Sequence, residues 1–282
     1  MMRYIPQRLA LCLFALYVAL FPGSTLTIAL NHVPPWGRSF GGVLLVIQGV
    51  VVLAWLAWRY GIRGGVAGIS IALMGLVVEF LGETTGFPFG RYSYTDLLQP
   101  KVFDVVPLAI CCAWAMAVPA AYEIAKLVAP TTWRPIGVLL LAATLVLVLD
   151  LQIETVAANI NNYWIWIDSG PYYGVPTENF VAWWLVGLGM ASVLSRILGH
   201  QQSIESHHEN VGRMSSSFLQ LVLRFIPHLM YLLSTLMFAI VNLARGYTLA
   251  GVVGVIVLGV SLIWITRVAG VGARQTMRQR YD

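Results

Sequence analysis

The stretch GVAGISIALMGLVVEFLGETTGFPFGRYSY, Gly65–Tyr94, decides how the rest of the chain is read. Up to Val78 it carries no charge and reads as a segment whose solvent is lipid. Glu79 and Glu83 then enter four residues apart. The chain leaves through a Gly/Pro turn, Gly86-Phe-Pro88-Phe-Gly90, into Arg91, Tyr92 and Tyr94. A second stretch repeats the design. Asp150 and Glu154 close an apolar run, and a Trp/Tyr-rich segment follows through Gly170-Pro-Tyr-Tyr-Gly174-Val-Pro176. Carboxyl groups at a membrane edge are costly to keep, so these two stretches mark where the chemistry lies.

Composition points the same way. Of the 282 residues 59% are hydrophobic and only 10% charged, and the mean hydropathy is +0.77. A water-soluble domain has no use for that much apolar surface. At about 20 residues per crossing the chain holds about eight spans with short connections. We read it as a single transmembrane domain over 1–282, with a motif-bearing core at about 65–200 and no room for a separate soluble catalytic domain. The net charge of +5 is no nucleic-acid signal, because the basic residues are scattered at span ends. Cys12, Cys111 and Cys112 all lie in apolar segments without CxxC spacing, so they read as buried small hydrophobes rather than ligands or disulfides. The first segment has a basic start like a signal peptide but no clear small-x-small cleavage site, and is kept as a helix.

Apolar windows place spans near 9–30, 40–58, 65–82, 106–128, 135–155, 179–199, 218–242 and 248–267. Kinks are expected at Phe21-Pro22-Gly23 and at Pro119, because proline removes a backbone donor. The polar run at about 200–217, with His200, Glu205, His207, His208 and Glu209, reads as a solvated connector. With eight spans both termini share one side. Thirteen of the 17 Lys and Arg residues fall on that side and 4 (Arg38, Arg91, Lys101 and Arg245) on the other. The positive-inside rule then puts both termini in the cytoplasm. The expected fold class is therefore all-α, a polytopic integral membrane helix bundle.

On that topology eight of the 12 acids (Glu79, Glu83, Asp96, Asp104, Asp150, Glu154, Asp168 and Glu178) lie on or near the outer face. They sit on two loops, roughly 83–105 and 156–178, which also carry Tyr92, Tyr94, Tyr163, Trp164, Trp166, Tyr172 and Tyr173. An aromatic belt accounts for rings at an interface, but not for the acids. Glu79/Glu83 and Asp150/Glu154 are i,i+4 pairs on single helix faces, where like charges repel. They bind a cation, pair with Arg91 or Lys101, or keep some protons. A carboxylic acid held neutral at the membrane edge is a proton donor awaiting a substrate. The bland alternative is that these acids reach to water as ordinary helix ends.

Other chemistries lack their residues. No His lies near the acids to complete a Glu-x-x-His metal site. HxxxH and HxxHH boxes are absent, as is a DDxxD motif for a diphosphate–magnesium complex. No Gly-rich dinucleotide turn follows a strand. The expectation is no metal and no cofactor.

The two stretches together resemble the CruF-type carotenoid hydratases, a family of multi-span carotenoid biosynthesis proteins. The resemblance rests on Glu79, Glu83, Gly86-x-Pro88-Phe-Gly90-x-Tyr92-x-Tyr94, Pro100 and Pro107. It continues in Leu149-Asp150, Trp164-x-Trp166, Gly170-Pro-Tyr-Tyr-Gly174-Val-Pro176 and Asn179-Phe180-x-x-Trp183. It covers roughly residues 65–200. The resemblance implies a hydro-lyase that adds water, without a cofactor, to the terminal 1',2' double bond of an acyclic carotenoid end. Gamma-carotene, lycopene and bisanhydrobacterioruberin are the candidate substrates, and a tertiary 1'-hydroxy carotenoid is the product. Glu79, Glu83, Asp150 and Glu154 are then the candidate catalytic acids. Arg91, Tyr92, Tyr94, Trp164, Trp166, Tyr172, Tyr173, Asn179 and Trp183 are the candidate substrate-binding residues. Glu79 or Asp150 would donate a proton, Glu83 or Glu154 would steer water, and the rings would face the cation. The implied partners are a carotenoid within the bilayer, membrane lipid and other carotenoid biosynthesis enzymes. The implied location is the plasma membrane or an internal photosynthetic membrane of a prokaryote. The competing reading is a proton-coupled lipid or isoprenoid carrier that uses the acids as a relay.

Overall fold

A backbone in lipid must satisfy its N–H and C=O groups internally, so the apolar segments fold as helices. The computed structural model of the chain describes residues 4–133, 135–199 and 217–281. Among them are α1 (Tyr4–Ala29), α2 (Phe40–Tyr60), α3 (Ile62–Thr85), α4 (Leu108–Val128), α5 (Ile136–Glu154), α6 (Thr177–Leu198), α7 (Ser217–Ala244) and α8 (Thr248–Tyr281). Seven are long and apolar enough to cross a membrane, and α8 opens with a shorter apolar stretch, Thr248–Trp264. The protein is an all-α polytopic membrane bundle. Helical structure continues through Pro22, Pro119 and Pro227. The polar run expected as a connector, 200–216, lies outside the described residues.

Helix α4 is the hub. Up to the Glu123–Lys126 pair near its end it is apolar all round, and it is buried along most of its length, as a helix surrounded by other helices must be. Around it α2, α3, α6, α5 and α7 close a ring by successive contacts, with α1 outside against α2 and α7, and α8 outside against α5 and α7. Small residues let the hub be approached closely. A Cβ placed on Gly49 of α2 would lie 2.6 Å from the Cys112 Cβ. Cys111 and Cys112 are buried in α4 as expected, whereas Cys12 is exposed. Peripheral α1 packs against α2 and α7 and turns its other face outward, which is why the expectation fails there.

The two long loops are not irregular throughout. They contain β1 (Tyr92–Tyr94), β2 (Lys101–Val102), β3 (Val106–Pro107) and β4 (Trp164–Trp166). The first and last pair antiparallel, with Tyr92 opposite Trp166, Ser93 opposite Ile165 and Tyr94 opposite Trp164. The two motif-bearing stretches thus meet directly, at the end of the bundle where α3 finishes and α4 begins. The Gly/Pro turn makes this geometry: Gly86 caps α3 in the left-handed region (φ +81°) and donates its N–H to the Gly82 carbonyl. Gly90 (φ +97°) passes so near Pro176 that a Cβ there would lie 3.1 Å from its ring.

Candidate active site

The alternation Tyr-Ser-Tyr on β1 and Trp-Ile-Trp on β4 sends the aromatic members inward and Ser93 and Ile165 outward, the period of two that a strand imposes. Each aromatic pair grips one buried glutamate. Tyr92 and Tyr94 donate their hydroxyls to Glu79 Oε2 at 2.7 and 2.6 Å, and the Trp114 indole N–H donates to Oε1 at 2.8 Å. On the other strand Trp164 and Trp166 donate their indole N–H groups to Glu154 Oε2 at 3.2 and 2.9 Å. Asn179 Nδ2 completes that set, donating to Glu154 Oε1 at 3.1 Å and to Asp150 Oδ2, also at 3.1 Å. Glu79 and Glu154 are 3% and 2% exposed, and these donors are all neutral. Trp183 stacks on Trp114 at 4.0 Å between centroids and fixes the indole that faces Glu79.

Burial first, and the Glu79 carboxylate next, push the hydroxyls of Tyr92 and Tyr94 far above the usual phenol range. Both therefore keep their protons at any physiological pH.

Glu79, Tyr92, Tyr94, Glu154, Trp164, Trp166, Asn179 and Trp183 line one cavity. Its atom-free space, including the mouth, is about 1080 Å³. The remaining wall is mostly apolar; α1, α2, α4 and α7 supply Phe21, Ile28, Leu44, Ile110, Met237 and Phe238, and Phe89, Ile153, Val156 and Ala157 add to it.

Other residues singled out in the sequence do different work. Glu83 does not line the cavity; it accepts hydrogen bonds from Ser93 Oγ at 3.0 Å and from the Tyr94 N–H at 3.1 Å, and so pins β1. Asp150 is fully buried behind Asn179, outside the cavity wall, with Oδ1 unpartnered. Glu154, which the bland alternative takes out to water as a helix end, is instead buried where the chain continues as a π-helical turn, Thr155–Ile160. Arg91 is exposed and clasped by Asp168 at 2.7 Å, and that clasp holds the Asp168 carboxyl below its usual range. Lys101 engages Asp96 at 3.2 Å and the Tyr94 carbonyl at 3.1 Å. Tyr172 donates to the Leu151 carbonyl at 2.6 Å, and the Tyr173 hydroxyl accepts the Leu249 N–H at 3.0 Å. These two rings fasten the second loop to α5 and α8 rather than lining the cavity.

Trp114, Gln48, Tyr17 and Tyr163 line or support the site, although the sequence patterns do not single them out as site residues. Trp114 alone leaves a trace, as a buried indole N–H that needs an acceptor inside an apolar helix.

The family model described as "Carotenoid biosynthesis protein" matches residues 40–261. The bisanhydrobacterioruberin hydratase of Haloarcula japonica is 32% identical over 130 residues, which is 44% of this chain and 42% of that protein. The match therefore spans less than half the length of that relative. No solved structure matches the chain. The family match covers both motif stretches, the ladder between them and the helices that carry the acids, and the chain belongs to the carotenoid biosynthesis protein family.

Proposed function

We propose that the protein is a carotenoid 1',2'-hydratase, a hydro-lyase that adds water to the terminal double bond of an acyclic carotenoid end. One observation carries the reading. Two buried glutamates, each held by three neutral donors, face one apolar cavity within a membrane bundle. Hydrating a trisubstituted alkene needs an acid, a base and a surface that tolerates a cation.

Hydrogen-bond chemistry distinguishes the two glutamates. Tyr92 and Tyr94 can accept as well as donate, so Glu79 can hold a proton among them and release it. The partners of Glu154 are indole and amide N–H groups, which only donate, so Glu154 is fixed as an acceptor. Glu79 gives its proton to C2', and the π electrons form the new C–H bond, leaving a tertiary cation at C1'. The faces of Tyr92, Tyr94, Trp164 and Trp166 stabilise that charge. A water oxygen then bonds to C1', and its surplus proton passes to Glu154. Proton return from Glu154 to Glu79 through cavity water resets the pair. Substrate plus water equals product, so no cofactor is required.

An apolar cavity with an open mouth takes only the end of a polyene and leaves the remainder in lipid. Gamma-carotene, lycopene and bisanhydrobacterioruberin share such an end, and the last of them gives the Haloarcula japonica hydratase its name. The bias of the basic residues supports cytoplasmic termini and a site at the outer edge of the membrane, which we take to be the plasma membrane or an internal photosynthetic membrane of a prokaryote. Other carotenoid biosynthesis enzymes would supply and consume the pigment.

The test is expression in cells that accumulate each of the three pigments. A product heavier by one water is expected, with its hydroxyl oxygen taken from labelled water. Label arriving from oxygen gas, or no hydroxylated pigment from any of the three, refutes the proposal.

A further inference from the structure

The hydratase reading leaves one reactant without a seat. Water is scarce in a lipid-facing apolar cavity, and the acids are largely occupied already. Each carboxylate has about four lone-pair sites, and three donors are seated on each of Glu79 and Glu154. A bound water needs two to four polar partners, including donors directed at its oxygen.

Such a set exists on the facing arc of the bundle. Tyr17 of α1 and Gln48 of α2 line the same cavity, and both are almost fully buried. The Tyr17 hydroxyl lies beside the Gln48 side chain and the Ser234 hydroxyl of α7. Ser234 is 1% exposed and stands beside Tyr17 rather than in the cavity lining, and its Oγ has no partner in good hydrogen-bond geometry. A buried hydroxyl left unpaired is costly and calls for a partner. Glu79 and Glu154 come from the α3–α6–α5 arc of the ring, whereas these three come from α1, α2 and α7. At 1.5 Å per residue Gln48 lies about 12 Å inside the start of α2, Ser234 about 15 Å inside the end of α7 and Tyr17 about 18 Å inside the end of α1, all deeper than Glu79, about 9 Å inside the end of α3.

We infer that Tyr17, Gln48 and Ser234 form a water site deeper in the same cavity, which seats the nucleophile for attack on the carbon cation while a further cavity water carries its surplus proton to Glu154. This rests on the hydratase reading and adds to it. The cation at C1' has two fates: a water oxygen bonds to C1', or a neighbouring C–H loses its proton and an alkene returns. A seated water selects the first.

The experiment runs the reaction in deuterated water with Ser234→Ala, Tyr17→Phe and Gln48→Leu, each in the full-length protein. Protonation in such a medium puts deuterium at C2', and cations that revert carry it back into recovered alkene. The expected result for Ser234→Ala is roughly ten-fold less hydroxylated product, the scale of one lost hydrogen bond. Deuterium in the recovered alkene should rise at the same time. Tyr17→Phe and Gln48→Leu should shift the partition the same way. Ser234→Ala also guards against misfolding: if the hydroxyl holds no water, its removal leaves stability and partition unchanged, and the inference falls. Product and deuterium falling together overturns it as well, because the residues would then act before the cation forms. Wild-type protein giving neither product nor exchange refutes the hydratase reading itself.

Discussion

Replacing each buried glutamate by glutamine is nearly isosteric, yet the two substitutions should differ in stability. In Glu79→Gln the amide oxygen keeps the Trp114 N–H, and the new NH2 group faces two hydroxyls, which can turn to accept it. All three hydrogen bonds survive in neutral form, so the change in stability should stay within about 1 kcal/mol. In Glu154→Gln the oxygen must stay with the two indoles, and the NH2 group is driven against Asn179 Nδ2, another donor. One hydrogen bond is lost and two N–H groups confront each other, which costs about 1–3 kcal/mol. Turning the Asn179 amide over relieves that contact but withdraws its N–H from Asp150, whose other oxygen already has no partner. Both variants should lose about 100- to 10,000-fold in hydration rate, the usual contribution of a positioned acid or base. The assay is reversible denaturant titration of detergent-purified protein, followed by tryptophan fluorescence, with pigment turnover measured on the same preparations. Equal stabilities, or a Glu79→Gln variant weaker than Glu154→Gln, would refute the assignment of switchable partners to one acid and donor-only partners to the other.

Two further outcomes test the frame around the site. Gly49→Ala puts a Cβ 2.6 Å from the Cys112 Cβ and 2.7 Å from its carbonyl oxygen, so α2 must move off α4. Overpacking of this kind costs about 1–3 kcal/mol in the same titration, and an unchanged midpoint would contradict the close helix approach. The Arg91–Asp168 clasp should show its pH dependence on the acid side only. The Asp168 pKa is depressed in the fold, so the contribution is present above its unfolded value of about 3.9 and fades as pH falls through the lowered folded one. The midpoint difference between wild type and Asp168→Asn should therefore be flat from neutral pH down to about 5 and shrink below about 4. A difference that varies around neutrality would show that another group titrates there.

The helical architecture is legible in the sequence because lipid imposes a local rule: an apolar run of sufficient length must become a helix whatever its neighbours are. That is why the eight windows fall close to the eight helices. The i,i+4 acid pairs are equally plain, but their division of labour is not. Periodicity puts Glu79 and Glu83 on one helix face, yet Glu83 lies close enough to the helix end to reach the backbone of β1 instead of the cavity. Glu154 misleads in the other direction, because nothing in Thr155–Ile160 announces a π turn that buries it. The strand pairing has a signal in the Tyr-Ser-Tyr and Trp-Ile-Trp alternation. Reading it requires a partner 70 to 74 residues away, the separations of Tyr94 from Trp164 and of Tyr92 from Trp166. Asn179 and Trp114 act across helices, and no spacing rule within one helix exposes such a contact.

The location of the site follows from what can solvate a carboxylate inside a membrane. A helix backbone has spent its N–H groups on its own carbonyls, so it has none to offer a buried acid. Donors must come from side chains, and long rows of indoles and phenols facing one point are easiest to deliver from a strand, where alternate residues share a face. Strands in turn are tolerated only where the chain has left the lipid-exposed helices. Glu79 and Glu154 accordingly lie within about two turns of their helix ends, close under the ladder that grips them. Register then ties the two acids together. With Tyr92 opposite Trp166 and Tyr94 opposite Trp164, a slip of one residue would turn one strand's aromatics outward and strip its glutamate of two donors. Neither stretch builds the site alone. Each supplies an acid and the strand that serves it, and the pairing of the strands brings two buried, differently partnered glutamates to the same cavity.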